Sequence, residues 1–464
     1  MIVVLKPKND RKIPMTNIAQ IAEAIEQLFG EKIEEFARES RFIQRKVVVS
    51  GKGFVQSLIL AFQTNTAASY SELSACASSL AMPMTAQGME QRFDEHSAHF
   101  LKSVLEYALT LKVQGICVQT VPLIKRFKGI HIRDSSVISL PSALKHIWKG
   151  VGGSQGETSA LKLQVSWEQC RGSLDGVTLQ AGYCQDRTSP YQSMELEAGE
   201  LHIGDLGFFS LEKLAQDAQK GVLWLTRLKF KTLLCDEQGL AFDLLAFLEH
   251  QTQTQVDLPV LVGGKQQLTC RLLASRVPQE VADQRRQRIK ESYRKKGRQP
   301  SAKLLQLAAW TLVLTNVPPD KLSLKEALVL LKIRWQIELL FKLWKSYLSI
   351  DQWNSHNPWR ILTEVYAKLL SAILFHWTIL SEFWKCPDRS LVKALKTFQR
   401  YIILILFNSN SQENMSNILS SLQRCYIKAC RINKHADYAC TFQALLNPDK
   451  VDAHGATRRV APTN

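Results

Sequence analysis

Three acidic residues stand in settings suited to metal-dependent chemistry. Asp134 follows the strand-like segment GIHIR, Asp205 follows LHIG, and Glu338 falls in the helix-like segment LKIRWQIELLFKLWKSYL. Carboxylates are hard oxygen ligands of the kind that Mg²⁺ prefers. Two such ions about 3.5–4 Å apart can activate an attacking water and stabilise the leaving oxygen of a phosphodiester. Either Asp alone is more often a turn residue or a helix cap, so the two must be weighed together with Glu338.

The segment around Glu338 has the composition of one largely buried helix from Leu331 to Leu348. At 3.6 residues per turn, Arg334, Glu338 and Lys345 project within roughly 40° of one another. Most of the remaining surface is apolar, through Trp335, Ile337, Leu339, Leu340, Leu343 and Trp344. A buried carboxylate must be paired or bound to a metal. Glu338 therefore either pairs with basic residues four positions away, Arg334 and Lys342, in a structural helix, or is a metal ligand.

These residues form R-x3-E-x6-K, which resembles the signature helix of bacterial insertion-sequence transposases of the DDE type, in the insertion sequence 4-type family. The full motif of that family is Y-x2-R-x3-E-x6-K, and Leu331 stands here at the Tyr position. Asp134 precedes two serines and Asp205 begins D-L-G-F-F, and both settings are similar to those of the family's first two catalytic Asp residues. The ordered combination is far more specific than any single motif.

The resemblance implies that Asp134, Asp205 and Glu338 hold two Mg²⁺ ions, for which Mn²⁺ can substitute, and that Arg334 and Lys345 contact DNA phosphates. It implies a cut-and-paste transposase that hydrolyses DNA at element ends and transfers strands into target DNA. The implied partners are double-stranded DNA, at terminal inverted repeats and at the target, and a second copy of the chain in a homodimer. The family precedent also suggests excision through a hairpin intermediate.

The fold class implied is α/β, with a ribonuclease H-like catalytic core at residues 116–220 and 300–350 and a mainly β insertion at 221–299. Alternating or β-rich segments at 130–133, 161–167, 177–180 and 201–204 predict four strands. Further strands are predicted at 222–230 and 268–274, separated by an irregular stretch.

Helical patterns flank this core. Residues 1–115 are predicted to form a DNA-binding region, in which 69–93 has the spacing of a helix-turn-helix. Such spacing is a weak signal, because any two short helices produce it. Residues 351–450 are predicted to be helical, and 451–464 to form a flexible tail.

The charge balance indicates a nucleic-acid partner. The chain has 59 Lys and Arg against 42 Asp and Glu, a formal net charge of +17, which is typical of nucleic-acid-binding proteins. Basic residues concentrate before the signature helix, and we predict that they bind the DNA backbone: Arg285, Arg286, Arg288, Lys290, Arg294, Lys295, Lys296 and Arg298. A solvated helix surface is the alternative explanation of this run.

Three further residues are candidate DNA contacts. Lys342 adds charge beside the signature, and the resemblance implies that Trp310 stacks near a base flipped from the element end. Core packing is nevertheless the preferred interpretation for both Trp310 and Trp335, with DNA contact as the alternative.

The sequence also bears on compartment and on other metals. Its apolar runs are too short to span a bilayer, and its start lacks the pattern of a signal peptide. We therefore expect a cytoplasmic protein that does not bind membranes and that associates with the nucleoid when bound to DNA.

The ten cysteines of the chain include no C-x2-C pair, which favours reduced thiols. The even spacing of Cys425, Cys430, His435 and Cys440 does not match common zinc sites, so ordinary packing is expected there.

Two other functions remain open from the sequence. A decayed or domesticated copy would bind specific DNA without cutting it, and Leu331 in place of Tyr is the feature that favours this alternative. A metal-dependent nuclease would cut without joining.

Overall fold

A computed structural model describes residues 16–45, 49–113, 121–153, 156–188, 194–265, 267–380 and 389–432, together with positions 445 and 448. The chain divides into two compact units, each built from segments that are distant in sequence. The first unit lies within residues 1–118, 135–184 and 338–434, and the second within residues 119–134, 185–337 and 435–464.

The first unit is mainly helical. Its helices are α1 Thr16–Leu28, α2 Glu31–Glu39, α3 Gly51–Thr64, α4 Tyr70–Ser79, α5 Ala86–Glu90, α6 Glu95–Thr110, α13 Pro358–Ile379, α14 Leu391–Phe407 and α15 Gln412–Ala429. The central helix is α13, which is buried from Arg360 to Ile379 and packs against α3 and α6. The N-terminal and C-terminal helices therefore share one core.

Three strands accompany these helices in the first unit. They are β2 Lys149–Gly153, β3 Gly156–Glu168 and β4 Leu174–Ala181, and β3 pairs antiparallel with both of the others. A further strand, β1 Ile130–Leu140, contributes its residues after Asp134 to this unit and its earlier residues to the second unit.

The second unit is organised around a mixed sheet. Its strands, after the first part of β1, are β5 Leu201–Gly204, β6 Leu223–Arg227, β7 Leu234–Cys235, β8 Gln255–Val262, β9 Leu268–Arg276 and β10 Trp310–Thr315. The order is β1-β5-β6-β10-β9-β8-β7, with β1, β5 and β6 parallel and the others antiparallel. Its helices are α7 Leu211–Gln219, α8 Leu244–Glu249, α9 Gln279–Arg294, α10 Ala302–Leu307 and α11 Leu324–Ile333.

The parallel pair β5–β6 is joined by α7, as parallel strands require a crossover connection. Ser210 caps α7 by accepting a hydrogen bond from the backbone N–H of Lys213. Buried Leu214 on α7 packs with Trp224 of β6 and Leu314 of β10 in one hydrophobic cluster. This packing fixes the edge of the sheet at which β5 ends.

The predicted strands are present, with two corrections near the core. The expectation that a strand ends before Asp134 is wrong, since β1 continues to Leu140. Only the pairing of β1 with β5 ends at Arg133, because β5 itself stops at Gly204. The strand β6, assigned to the insertion from the sequence, pairs parallel with β5 and so extends the parallel part of the sheet.

A third difference concerns β8, which lies where the sequence predicts an irregular stretch. The glycines that suggested an irregular stretch, Gly239, Gly263 and Gly264, flank β8 and do not interrupt it. The strand itself pairs antiparallel with β9 over its whole length, from Gln255 to Val262.

The two helices of the predicted helix-turn-helix segment are α4 and α5. Ser69 caps α4 in a capping box with Glu72, and Thr85 caps α5 by accepting from the N–H of Gly88. The second helix is short and ends at Glu90, and Asp94 caps the next helix, α6.

Two of the four residues with even spacing, Cys425 and Cys430, lie on or beside α15, and the structure supports packing for both. The Cys425 Sγ lies 3.4 Å from the Tyr401 hydroxyl, and the Cys430 Sγ lies 3.7 Å from the Thr397 hydroxyl. His435 and Cys440 fall outside the described residues, as do residues 451–464. Among the helices that the structure describes, none is both long and apolar enough to cross a membrane.

His376 gives the first unit a pH-dependent stability. Burial lowers the pKa of this imidazole from 6.5 to about 4, although its Nε2 lies 2.8 Å from the carbonyl oxygen of Gly172. Below pH 6.5, His376 of the unfolded chain binds a proton. In the folded chain the same imidazole stays neutral until the pH approaches about 4. We therefore expect the free energy of unfolding to fall as pH drops from 6.5 towards 4, by about 3 kcal/mol from this group.

Urea denaturation at a series of pH values measures this effect. His376→Gln keeps a hydrogen-bond donor for the carbonyl of Gly172 and removes the titrating ring, so the difference between variant and wild type isolates the contribution of His376. Parallel pH profiles for the two proteins would contradict the assignment.

Candidate active site

Asp134 and Asp205 occupy equivalent positions on neighbouring parallel strands. In the register of β1 and β5, Arg133 pairs with Gly204, and the two Asp residues come next along each chain. Both strands are buried up to this point, whereas the side chains of Asp134 and Asp205 are 16% and 40% exposed. The two hydrophobic strands thus place both carboxylates at one partly exposed edge of the sheet.

Both carboxylates face the same arginine. The Arg334 Nη1 donates to Oδ2 of Asp134 at 3.0 Å, and its Nε lies 4.0 Å from Oδ1 of Asp205. The Arg334 side chain is 16% exposed, so this charge cluster is only partly screened by solvent. The sequence pattern predicted Glu338 as a partner of Arg334. It did not predict the contact between Arg334 and Asp134.

The signature segment is not one continuous helix, and this corrects the sequence prediction. Helix α11 begins after Ser323, which caps it in a capping box with Glu326, and it ends at Ile333. Arg334 keeps α-helical dihedral angles, with φ −51° and ψ −32°, but the next helix, α12 Trp335–Tyr347, is separate.

Glu338 and Lys345 lie in the first and last turns of α12. Glu338 is half-buried. Lys345 donates from Nζ to the backbone carbonyl of Val137 at 2.8 Å, and Val137 lies on β1 three residues after Asp134. Lys342, on the same helix, is exposed.

The donor chemistry of the Asp134–Asp205 pair fits a hard divalent cation. Within the described residues, no group of three or more His, Cys, Asp or Glu side chains is close enough to hold a metal ion. The two carboxylates nevertheless lie within 4.0 Å of one shared positive charge, that of Arg334. Paired carboxylate oxygens are ligands that Mg²⁺ and Mn²⁺ prefer.

Buried polar side chains lie beside Asp205 on one face of β5 and β6. His202, Gly204, Trp224 and Thr226 line a small cavity together with Asp205. In the part of the chain that the structure describes, His202 Nε2 and Trp224 Nε1 are buried without a hydrogen-bond partner. Burial lowers the pKa of His202 well below its usual value, and nearby positive charges act in the same direction. Burial and these charges therefore favour the neutral form of the His202 imidazole.

The sequence carries a signal for this polar face. The pattern H-I-x-D occurs twice, as His131 to Asp134 and as His202 to Asp205. The two His residues are direct partners in the parallel register of β1 and β5. The repetition alone could have shown that a histidine accompanies each carboxylate.

The basic run forms α9 and the turn after it, and it divides into two groups. Arg285 donates to the carbonyl of Trp310 at 3.1 Å and to the hydroxyl of Thr311 at 3.0 Å. Arg286 donates to the carbonyl of Leu305 at 3.1 Å and pairs with Asp283. The other six are exposed: Arg288, Lys290, Arg294, Lys295, Lys296 and Arg298.

The two tryptophans, for both of which packing is the preferred interpretation, differ in exposure. Trp310 is 6% exposed and lies in the hydrophobic cluster of the second unit, with the guanidinium of Arg276 5.2 Å from its ring centroid. This favours core packing for Trp310. Trp335 is 55% exposed, so the preferred interpretation that it packs is wrong.

These features place two carboxylates and an arginine at one edge of the sheet in a mixed α/β fold. Residues 125–374, more than half of the chain, match the family described as "Transposase DDE domain". The transposase for insertion sequence element IS231F of Bacillus thuringiensis subsp. israelensis is 29% identical over 422 residues, which cover 84% of this chain and 87% of that protein. The transposase for IS1151 of Clostridium perfringens is 23% identical over 376 residues, covering 76% and 79%.

A shorter match joins the chain to the putative transposase InsL for IS186A of Escherichia coli strain K12, at 30% identity over 186 residues, 38% of this chain and 50% of that protein. The chain belongs to the transposase DDE domain family. It is a DNA transposase, an enzyme that cleaves and transfers DNA strands. The resemblance predicted from the sequence is confirmed at the level of the family, whose chemistry depends in general on divalent metal ions.

Proposed function

We propose that this transposase moves an insertion sequence by a cut-and-paste mechanism. Water first hydrolyses the phosphodiester bond at each element end, and the freed 3′-hydroxyl then attacks target DNA. The observation that carries the proposal is that Asp134 and Asp205 lie against one arginine at the edge of the sheet. Two carboxylates and a guanidinium that can bind a phosphate are a suitable set for phosphodiester chemistry.

The proposed core is ribonuclease H-like, at residues 116–227 (116–220 from the sequence alone) and 300–350, with helical regions at 1–115 and 351–450. The parallel strands β1, β5 and β6 and the antiparallel pair β3–β4 support this proposal. Because β6 continues the parallel strands, we place the start of the β-rich insertion after Arg227, and its end at residue 299.

Asp134, Asp205 and Glu338 are the proposed residues that would hold two Mg²⁺ ions, with Mn²⁺ as a substitute. When bound, the ions lower the pKa of an attacking water and stabilise the leaving 3′ oxygen. Arg334 offers a planar fork to a phosphate near the scissile bond, and Lys345 a point charge. The reaction needs no covalent protein intermediate.

DNA backbone binding is assigned to the six exposed basic residues of α9 and its C-terminal turn, and to Lys342. Arg285 and Arg286 hold α9 against its neighbours, and we assign them to structure. The exposed ring of Trp335 is available to stack on a base, and Trp310 is not. Recognition of the element ends is assigned to the α4–α5 segment.

Replacing Arg288, Lys290, Lys295 and Lys296 together with Gln should weaken binding to any DNA duplex. The slope of log affinity against log salt concentration should become shallower by about 0.9 for each phosphate contact removed. Fluorescence anisotropy over a salt series measures both quantities.

The matched control replaces four exposed lysines elsewhere in the second unit, Lys220, Lys229, Lys231 and Lys265, and makes the same change in net charge. If both quadruple variants change the slope equally, overall charge and not α9 governs binding.

The proposed working state is a homodimer on DNA, in which two protomers hold each element end, with excision through a hairpin intermediate. The proposed location is the cytoplasm, with association to the nucleoid when the protein is bound to DNA. Size measurement of the protein with and without an end duplex tests the dimer.

A joining assay tests the function. The protein is incubated with Mg²⁺ or EDTA, a pre-cut element end bearing a free 3′-hydroxyl, and a target plasmid. We expect metal-dependent joining of the end to the plasmid, absent with Asp205→Asn. Cleavage without joining would indicate a nuclease, and binding without either reaction would indicate a DNA-binding protein that has lost catalysis.

A further inference from the structure

The position of Arg334 bears on how metal and DNA reach the site. Its Nη1 contacts Asp134 and its Nε faces Asp205, so the guanidinium spans both carboxylates. A positive charge thus already lies where the proposed function needs a divalent cation.

We infer that Arg334 competes with the metal for Asp134 and Asp205, and that DNA removes this competition by offering Arg334 a phosphate instead. The inference rests on the proposed function. It assigns to Arg334 the coupling of metal binding to DNA binding, beyond a simple contact with DNA.

The competition is electrostatic. A carboxylate has enough lone pairs for more than one partner, so Arg334 does not block the oxygens outright. A divalent ion bound to these carboxylates would, however, lie a few ångströms from the guanidinium, in a partly buried setting where repulsion is weakly screened. Metal binding is therefore weakened for as long as Arg334 stays in place.

DNA supplies the alternative partner. Arginine binds a phosphate through two parallel N–H groups, as it binds a carboxylate. A phosphate beside the site can bind the Arg334 side chain in place of Asp134. The negative charge of the phosphate then attracts the metal ion, where the Arg334 guanidinium had repelled it. Because binding free energies are coupled reciprocally, metal should strengthen DNA binding by the same factor by which DNA strengthens metal binding.

Titration of the full-length protein with Mn²⁺, followed by the electron paramagnetic resonance of free Mn²⁺, tests the inference without an activity measurement. In the absence of DNA, Arg334→Gln should bind Mn²⁺ about tenfold more tightly than wild type, the effect of removing one nearby positive charge. Arg334→Lys keeps the charge and should bind close to wild type. Asp134→Asn should bind more weakly than wild type.

Arg126→Gln is the matched control, because Arg126 is paired with Glu326 at 2.9 Å in the same unit and the net charge change is identical. Its Mn²⁺ affinity should match that of wild type. Arg334→Met is a second charge-removing variant with the same expectation as Arg334→Gln, and thermal melts identify any variant that does not fold.

Addition of a short duplex completes the test. The duplex should raise the Mn²⁺ affinity of wild type by a larger factor than that of Arg334→Gln, since only wild type has the competing charge to release. Equal Mn²⁺ affinities for wild type, Arg334→Gln and Arg334→Met, with Asp134→Asn still weaker, would overturn the inference and leave the carboxylate site standing. If Mn²⁺ binding were undetectable in every protein, with and without DNA, the proposed metal site itself would fail.

Discussion

Asp134→Asn should lower the rate of strand cleavage at an element end by about a thousandfold or more, a loss of several kcal/mol of transition-state stabilisation. The amide keeps the size of the side chain but removes the negative charge that faces Arg334 and that would hold a metal. The same loss is expected for Asp205→Asn and Glu338→Gln. The cleavage rate is measured in single-turnover reactions on a labelled end duplex.

Asp320→Asn is the control for this series, because Asp320 is an exposed carboxylate in the second unit. It should cleave at the wild-type rate. DNA affinity measured without metal should not fall in the three active-site variants, because none of them removes a proposed phosphate contact. Retention of near-normal cleavage by Glu338→Gln alone would remove Glu338 from the site and leave the Asp pair.

Lys368→Met should destabilise the folded protein by about 3–5 kcal/mol, because it leaves a buried carboxylate without its partner. Lys368 and Glu364 are each 1% exposed, and their Nζ and Oε1 atoms lie 2.6 Å apart. Lys368 Nζ also donates to the carbonyls of Ser349 and Gln352. Burial raises the pKa of Glu364 and lowers the pKa of Lys368, and each partner opposes the shift of the other.

The double variant Glu364→Gln/Lys368→Met separates the pair from its surroundings. Removing both charges should recover much of the lost stability, since a buried ion pair contributes far less than an unpaired buried charge costs. Chemical denaturation of the single and double variants gives the free energies. If Lys368→Met and the double variant are destabilised equally, the contacts of Lys368 with backbone carbonyls matter more to stability than the charge of Glu364.

Local patterns were sufficient for the elements that position the carboxylates. The hydrophobic segments before Asp134 and Asp205 predicted β1 and β5, since strand composition reflects burial on a pleated surface. Ser69, Thr85 and Ser323 cap helices in the structure, and such caps are visible in a sequence because capping depends on a side chain and a backbone N–H only two or three residues apart. These inferences need no knowledge of the rest of the chain.

Long-range pairing could not be predicted in the same way. Helical periodicity brings Arg334 near Glu338, but the contact of Arg334 with Asp134 joins residues 200 positions apart, and no local pattern encodes it. Trp310 and Trp335 have the same side chain, and only the pairing of β10 within the sheet buries the first. Arg285 differs from the exposed Arg288 for a similar reason, since its partners are atoms of Trp310 and Thr311.

Strand breaks can be mapped at nucleotide resolution on a plasmid that carries the gene with its native flanking DNA. Wild-type protein should make Mg²⁺-dependent breaks confined to the two element ends, and Asp134→Asn, Asp205→Asn and Glu338→Gln should make none. Breaks scattered over the plasmid, or breaks that persist in all three variants, would contradict the assignment of these carboxylates to transposition.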